Sequence, residues 1–329
     1  DNQFIGKING LKLELDLKKG ALETDIKSLK KAARQTVAPE LAKRIQDIVD
    51  TGLIELNDDF KIYWKNFSIA RLNSGKDYLN PKIDLIVDDI IEQNQKKKLV
   101  IFLDKWLKNK INTILKSLID LKDLKDKNSS IKALAYQLYE NNGVLKRYQV
   151  SEYLKKLDQN ERKTLRDLGV KFGRYHVFLH RLIKPEAVSL RTLLWKNYNQ
   201  KHFNLKPPTF GLNFLEETKF KNKNFMLLCG FERFENFFIR IDILERLFMQ
   251  IISKNSEKNK EIKMVPEMLN LLGCNKDNFK KLIKIMEYKI TEKNNEVYFR
   301  YFPKKDSKKP NKKIIKESPF GILKNLNLN

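Results

Sequence analysis

The first third of the chain alternates between strand-like and helix-like patterns of apolar positions. Residues 4–17 alternate apolar and polar residues, which predicts a strand or hairpin. Apolar residues then recur at helical spacing, and Pro39 stands where a second helix could begin before Gly52 ends it. Residues 53–72 return to strand-like alternation. This first region is therefore predicted to be α+β.

The middle of the chain is predicted to be mainly helical. Residues 96–121 carry one apolar stripe at helical spacing, so they predict a long amphipathic helix, with a polar linker after it at 121–130. Further along, Asp158 and Glu161 have the spacing of a capping box. Pro185 is well placed as the first residue of another helix.

The last folded part of the sequence predicts the element order of a winged helix. FMLLCGF at 225–231 is typical of a buried strand, and residues 241–252 of a helix. A second helix, a turn at 273–275, a third helix and two strands joined by a polar turn follow. The predicted fold class is α+β and helix-rich, with several small modules. These are an α+β module at 1–95, a mainly helical module at 96–200, a strand plus winged-helix-like module at 201–302 and a basic tail at 303–329.

The formal net charge of +25 is unevenly distributed along the chain. Residues 1–95 hold 15 Lys and Arg against 16 Asp and Glu, whereas residues 96–329 hold 51 against 25. An AT-rich genome would raise the lysine content everywhere, but it would not leave the first segment neutral. Because a basic field attracts phosphate backbones, we expect a polyanion-binding surface in the C-terminal two thirds.

The third helix and the hairpin of the winged-helix-like module carry the first candidate binding surface. Its residues are Lys276, Lys280, Lys281 and Lys284 on the helix and Lys289, Lys293 and Arg300 on the hairpin. Helix and hairpin could straddle a nucleic-acid backbone together. The alternative is a solvated face on a module that serves as a spacer or binds protein.

A second cluster interleaves aromatic rings with cations. Lys171, Arg174, Tyr175 and His176 suit base stacking and phosphate contact, although burial of the aromatic rings is the default expectation. His176 and His180 are four residues apart and would share a helix face, as a metal pair does. A zinc site needs three or four converging ligands, however, and no acidic ligand lies between these two histidines. We therefore predict no metal site.

Recognisable catalytic motifs are absent from the sequence. Around Gly75-Lys76, Ala70 stands where an ATP-binding phosphate loop needs glycine, and Asp77 replaces its Mg²⁺-binding hydroxyl. We find no serine-hydrolase or zinc-protease motif either. The chain is therefore predicted to hold no catalytic residues and no cofactor of its own.

Other sequence features bear on the cellular setting. No apolar run approaches the roughly 20 residues that span a bilayer, so we expect no membrane association. Cys229 and Cys274 are far apart and lack a CxxC partner, which suits a reducing compartment, most simply the cytoplasm. The sequence begins at Asp1, and we expect the natural N-terminus to lie upstream of it.

One long block resembles part of a known bacterial protein family. VSEYLKKLDQNERKTLRDLGVKFGRYHVFLHRLIKPEAVSLRTLLW at 150–195 resembles the C-terminal half of an alphaproteobacterial superfamily 2 helicase-like family akin to the mitochondrial-degradosome RNA helicase. The likeness continues in LLCGFERFENFFIRIDILERL and MVPEMLNLLGCNKDNFKKLIKIMEYK, and it covers most of residues 4–290 in the family's order. His180 departs from the family, where LPxLLKP would place a proline.

The resemblance implies a nucleic-acid-binding accessory region of an ATP-dependent helicase. The family's ATPase core, which would bind ATP and Mg²⁺, is expected before residue 1 and is not in this sequence. RNA is the expected ligand and DNA the second choice, with upstream helicase domains, a nuclease or a ribosome as protein partners. One alternative is a protein-interaction scaffold that docks a helicase to a nuclease or ribosome, which would show exposed apolar patches and salt-insensitive binding. Another is an unrecognised hydrolase with a polar pocket.

Overall fold

The structure is a computed structural model that describes residues 6–15, 23–122, 124, 129–202, 204–216, 222–254, 261–294 and 296–302. Its mixture of many helices with several small sheets confirms the predicted helix-rich α+β class. The chain forms two compact units, unit 1 at residues 1–249 and unit 2 at 250–329. The finer module boundaries proposed from the sequence stay predictions, and the basic tail at 303–329 lies outside the described residues.

Unit 1 begins with a hairpin, a long helix and a four-stranded antiparallel sheet of order β3-β4-β5-β6. The elements are β1 (Gly6–Asn9), β2 (Lys12–Leu15), α1 (Glu23–Thr51), β3 (Ile54–Leu56), β4 (Lys61–Trp64), β5 (Phe67–Asn73) and β6 (Lys82–Leu85). The predicted hairpin and strands are confirmed. The prediction that a second helix begins at Pro39 is wrong, because α1 runs through this residue. Pro39 removes one backbone hydrogen-bond donor from α1. The helix continues nevertheless, because Leu41, Ile45 and Ile48 are buried and their packing stabilises it.

Six helices form the middle of unit 1. They are α2 (Gln93–Ile114), α3 (Lys116–Lys122), α4 (Ser129–Glu140), α5 (Ser151–Lys156), α6 (Gln159–Asp167) and α7 (Pro185–Tyr198). The single helix predicted over 96–121 is in fact two, because the backbone breaks at fully buried Leu115 and the new direction buries Leu118 and Leu121. The capping box is confirmed, with Asp158 Oδ1 accepting from the Glu161 amide at 2.7 Å. The predicted linker at 121–130 lies mostly outside the described residues.

Two three-stranded sheets and two helices complete unit 1. The first sheet has the order β7-β9-β8 and the second β10-β12-β11. The elements are β7 (Val144–Lys146), β8 (Val170–Phe172), β9 (His176–Leu179), β10 (Phe214–Glu216), α8 (Lys223–Leu228), β11 (Phe231–Phe234), β12 (Phe237–Arg240) and α9 (Ile241–Lys254). The strand predicted over 225–231 is wrong. Asn222 caps a helix there by accepting from the Phe225 amide at 2.9 Å, and the strand starts only after Gly230.

A continuous hydrophobic core of unit 1 includes residues from the four-stranded sheet, from α2 to α4 and from α7. Fully buried Arg191 on α7 ties this core to its neighbours through backbone carbonyls. Its guanidinium donates to the oxygens of Asn142, Leu182 and Leu228 at 2.7–2.8 Å. Burial lowers the pKa of Arg191 to about 10, so the side chain stays charged at neutral pH. The α7 helix is thereby fixed against the segments that precede β7, follow β9 and end α8.

Unit 2 starts within α9 and continues through two helices and a small sheet of order β13-β15-β14. Its further elements are β13 (Ile262–Lys263), α10 (Pro266–Leu272), α11 (Lys276–Ile285), β14 (Tyr288–Lys293) and β15 (Glu296–Tyr301). The predicted order of helices, turn and hairpin is present, and β13 is an additional strand. The buried residues of unit 2 include Leu272, Phe279, Leu282, Ile283 and Phe299. None of the described helices combines the length and apolar character needed to cross a membrane.

Candidate nucleic-acid interface

The helix α11 is placed by its cap and by one apolar stripe. Left-handed Gly273 ends α10, and the Asn275 side chain accepts from the Asn278 amide at 2.8 Å to start α11. Phe279, Leu282 and Ile283 are buried at helical spacing. The opposite face of α11 is therefore fixed toward solvent.

The four predicted lysines of α11 belong to this solvent side. Lys276, Lys281 and Lys284 are exposed, and none of them forms an ion pair within the described residues. Lys280 is half-buried, and its Nζ lies 2.7 Å from Glu292 Oε1 on the hairpin. The hydrogen bond and charge of Lys280 lower the pKa of the Glu292 carboxyl, and the charge of Lys284 adds to this. Three lysines thus remain available to an external anion.

The three predicted cations of the hairpin lie on one face of the sheet, opposite to the face that packs on α11. The inner face is marked by Phe299, whose ring meets Phe279 of α11 at 5.9 Å. Side chains alternate between faces along a strand, so Lys289 and Lys293 share the outer face. Arg300 is paired directly opposite Lys289 and joins them there. The seven predicted cations therefore lie on two separate surfaces, the solvent side of α11 and the outer face of the hairpin.

Two of the cations on the outer face of this sheet form ion pairs and two do not, although the charge of Arg300 helps to lower the pKa of the Glu261 carboxyl. Lys293 Nζ lies 2.8 Å from Glu261 Oε2, and Lys263 is paired with Glu296. Lys289 and Arg300 form no ion pair within the part of unit 2 that the structure describes. Like charges directly opposite each other destabilise a sheet unless something else neutralises them. This pair is therefore the strongest local signal for an anionic ligand on the sheet.

The second predicted cluster lies in unit 1, at the turn between β8 and β9, and only part of it is exposed. Lys171 and Arg174 are exposed, with the Arg174 guanidinium 6.0 Å from the centre of the Tyr175 ring. The Tyr175 ring packs edge-on against Phe248 at 4.7 Å. His176 is only 3% exposed, so its ring is withheld from a phosphate or a base. The cluster is reduced to two exposed cations.

His176 is held between two buried carboxylates. Its Nδ1 lies 3.0 Å from Glu245 Oε1, and its Nε2 lies 3.5 Å from Glu232 Oε2. Burial alone would lower the pKa of His176, but the hydrogen bonds and charges of both glutamates outweigh it and raise the pKa. Lys146, 2.8 Å from Glu232, adds a second cation. The group is charge-balanced and internally satisfied, as a structural ion cluster is.

The idea that His176 and His180 share a helix face is wrong. His176 is in β9, and His180 begins a short 3₁₀ turn at His180–Ile183. Among the described residues no group of three or more His, Cys, Asp or Glu could hold a metal ion. A spacing of four residues brings side chains to one side in a strand as well as in a helix, so spacing alone could not show that His180 lies beyond the end of β9.

Comparison with known proteins gives one match of interest. No family model matches the chain, and no solved structure matches it. An exodeoxyribonuclease 7 large subunit from Mycoplasma mycoides subsp. mycoides SC is 27% identical over 172 residues. The match covers 50% of this chain and 34% of that protein.

Sequence reasoning missed the residues that organise the turn between β8 and β9. Glu245 accepts hydrogen bonds from the backbone amides of Arg174, Tyr175 and His176, across about 70 positions of sequence. No local pattern marks Glu245 or Glu232 for this role, because each stands in an apolar stretch that predicts only burial. The single available signal was a carboxylate at a position that burial would otherwise give to an apolar residue.

Proposed function

We propose that this chain is a nucleic-acid-binding accessory region of an ATP-dependent helicase, with RNA as its preferred ligand. The ATPase core, which would bind ATP and Mg²⁺, is not in this sequence. It would act together with this chain as the upstream helicase domains. The proposed winged helix is residues 241–302, and its helix α11 and its hairpin, both in unit 2, make the main phosphate contacts. A nuclease or ribosome partner would dock elsewhere on the chain.

The observation that carries the proposal is the set of cations in unit 2 that form no ion pair among the described residues. They are Lys276, Lys281 and Lys284 on α11 and Lys289 and Arg300 on the outer face of the hairpin. Residues 250–329 hold 19 Lys and Arg against 9 Asp and Glu. Such an excess raises the local concentration of phosphate backbones and releases their counterions on binding.

Two further observations support the same proposal. The resemblance to a helicase family includes α10 and α11, so it covers the helix that carries most of these lysines. The partial likeness to an exodeoxyribonuclease subunit also joins the chain to a protein of nucleic-acid metabolism. The competing scaffold function has no comparable support from the charge pattern of unit 2.

Binding of labelled single- and double-stranded RNA and DNA, measured by fluorescence anisotropy over a range of salt concentrations, tests the proposal. Two charge-reversal variants address the two faces separately, Lys281→Glu with Lys284→Glu, and Lys289→Glu with Arg300→Glu. Lys280 is left unchanged because its reversal would place a carboxylate against Glu292. The matched control is Lys43→Glu with Lys76→Glu, which changes the net charge equally at exposed positions of unit 1.

The reversal on the face that binds should weaken affinity and flatten the salt dependence. Loss of two phosphate contacts lowers the slope of log affinity against log salt by roughly 1.4 for a single strand and 1.8 for duplex DNA. The control pair should leave the slope unchanged. If neither reversal in unit 2 differs from the control, the winged-helix proposal fails. If the parent chain binds no nucleic acid, the function as a whole is refuted.

A further inference from the structure

A cleft of about 720 Å³ in unit 1 has five aromatic side chains among its thirteen lining residues. Its walls come from the loop after β5, the end of α3, one side of α4 and the end of α7. The aromatic residues of this cleft, which we call the tyrosine cleft, are Tyr78, Tyr136, Tyr139, Trp195 and Tyr198. The volume is in the range that holds a small molecule or a few nucleotide units.

The hydrophobic core accounts for Tyr78, Tyr139 and Trp195, which pack against it, but not for Tyr136 and Tyr198. On α4 the core positions are Ile131, Leu134, Ala135 and Leu138, which repeat at helical spacing and are all buried. Tyr136 projects from the same helix outside this stripe and is 64% exposed. Tyr198, at the end of α7, is 43% exposed. Two large aromatic faces are therefore presented to whatever enters the cleft.

The cleft also holds a buried hydrogen-bonding group without a partner. The Tyr78 hydroxyl is buried and has no hydrogen-bond partner among the described residues. Burial raises the pKa of Tyr78 well above its usual range, so the hydroxyl keeps its proton and can donate. An orphaned buried hydroxyl is costly unless a ligand or water satisfies it. This hydroxyl is closed off from the cleft surface, so it is not a contact for a ligand in the cleft.

The charges along the cleft are balanced. Lys122 and Lys132 face Asp77 and Glu140, and the Lys122 Nζ lies 5.4 Å from the centre of the Tyr139 ring. The cleft therefore cannot attract a polyanion by net charge, unlike α11 in unit 2. Its binding chemistry is stacking on the exposed rings, with at most two phosphate contacts from the lysines.

We propose that the tyrosine cleft holds unpaired bases of a single-stranded nucleic acid, stacked on Tyr136 and Tyr198. Stacking on aromatic side chains is sequence-tolerant and needs bases that are free of a duplex. The proposal rests on the proposed function and adds to it a specific strand form, because paired bases cannot enter the cleft.

The full chain is tested with a short single-stranded RNA, the single-stranded DNA of the same sequence and the blunt RNA duplex. Tyr136→Ala and Tyr198→Ala should each weaken single-strand binding about tenfold, as loss of one stacked base does. Tyr136→Phe and Tyr198→Phe keep the ring and should bind like the parent. The matched control is Tyr148→Ala, because Tyr148 is 73% exposed in unit 1 and does not line the cleft.

The readouts separate this inference from the phosphate contacts of unit 2. Cleft variants should leave duplex affinity and the salt slope unchanged, whereas the lysine reversals change the slope. Cross-linking of 4-thiouridine RNA, mapped by mass spectrometry, should label Tyr136 or Tyr198. The inference is overturned if the alanine variants bind single strands like Tyr148→Ala while the lysine reversals weaken binding. It is also overturned if the cleft variants lose only a protein partner, or if the parent chain binds no nucleic acid.

Discussion

Removal of the Glu245 carboxylate should destabilise unit 1 more than any change at an exposed position of α9. In the parent chain this carboxylate accepts from the amides of Arg174, Tyr175 and His176 and from the His176 ring. Glu245→Ala leaves those donors without an acceptor and leaves His176 with Glu232 alone. The cost is therefore set by buried groups on the turn between β8 and β9, and much less by α9 itself.

The expected magnitude follows from the burial of the pair. Loss of one partner from a buried ion pair costs about 3–5 kcal/mol of unfolding free energy, which in a unit of this size is a fall in Tm of roughly 6–20 °C. The matched control is Arg246→Ala, one position further along α9, where the side chain is exposed. That change should alter stability by less than about 0.5 kcal/mol.

The pH dependence of the stability of unit 1 gives a second and more specific test. The pKa of His176 is raised in the folded chain, so its contribution is complete below its ordinary value of 6.5 and is lost as pH rises through the folded value. The pKa of the Glu232 carboxyl is lowered, because His176 and Lys146 outweigh the effect of burial, so its contribution is lost on acidification. Unit 1 should therefore lose stability as pH rises above 6.5, and Glu245→Ala should move that decline to lower pH.

Thermal unfolding followed by circular dichroism at several pH values measures both effects, and hydrogen exchange at residues 170–179 shows where protection is lost. His176→Asn removes the titrating group, so the stability of this variant should not fall as pH rises above 6.5. The reasoning is refuted if Glu245→Ala unfolds at the same temperature as Arg246→Ala. It is also refuted if the loss of stability with rising pH is the same in the parent chain, in Glu245→Ala and in His176→Asn.

Two further substitutions and one activity assay test separate expectations. Gly173→Ala should cost about 1–3 kcal/mol, measured by denaturant unfolding, because its Cβ would meet the Glu245 carboxylate. Leu282→Ala should cost roughly 2–5 kcal/mol in unit 2, because Leu282 is fully buried, and hydrogen exchange should place the loss in α11. The purified chain should release no phosphate from ATP with or without RNA, because it lacks a recognisable phosphate loop. Steady hydrolysis that survives further purification would contradict this last expectation.

Local signals in the sequence were sufficient wherever one short segment determines its own structure. The hairpin at residues 6–15, the capping box at Asp158 and the helix start at Pro185 follow from turn residues and caps, and all three are present. The element order of unit 2 was predictable for the same reason. A cap or a turn is built by neighbours in sequence, so tertiary packing has little to add.

The sequence predictions were wrong where packing between distant segments determines the structure. FMLLCGF at 225–231 is a short apolar run, and periodicity alone does not separate a buried helix from a buried strand there. Leu115 breaks a helix whose apolar stripe continues without interruption. Among candidate site residues, the exposure of Lys276, Lys281 and Lys284 was predictable. The burial of His176 was not, because its partners Glu232 and Glu245 come from β11 and α9.

Lys289 and Arg300 are cross-strand neighbours of like charge, so one substitution should raise stability and weaken RNA binding at the same time. Folded sequences usually agree with local rules and depart from them at functional sites, where a ligand compensates. Lys289→Thr removes the repulsion across β14 and β15 and introduces a β-branched residue, so it should raise the unfolding free energy of unit 2 by about 0.2–1 kcal/mol. The same change removes a proposed phosphate contact and should weaken RNA binding, most strongly at low salt. Hydrogen exchange of the β14 and β15 amides and anisotropy titrations measure the two effects on one sample. A variant that is less stable than the parent, or more stable with unchanged affinity, would show that the pair is not held for a ligand.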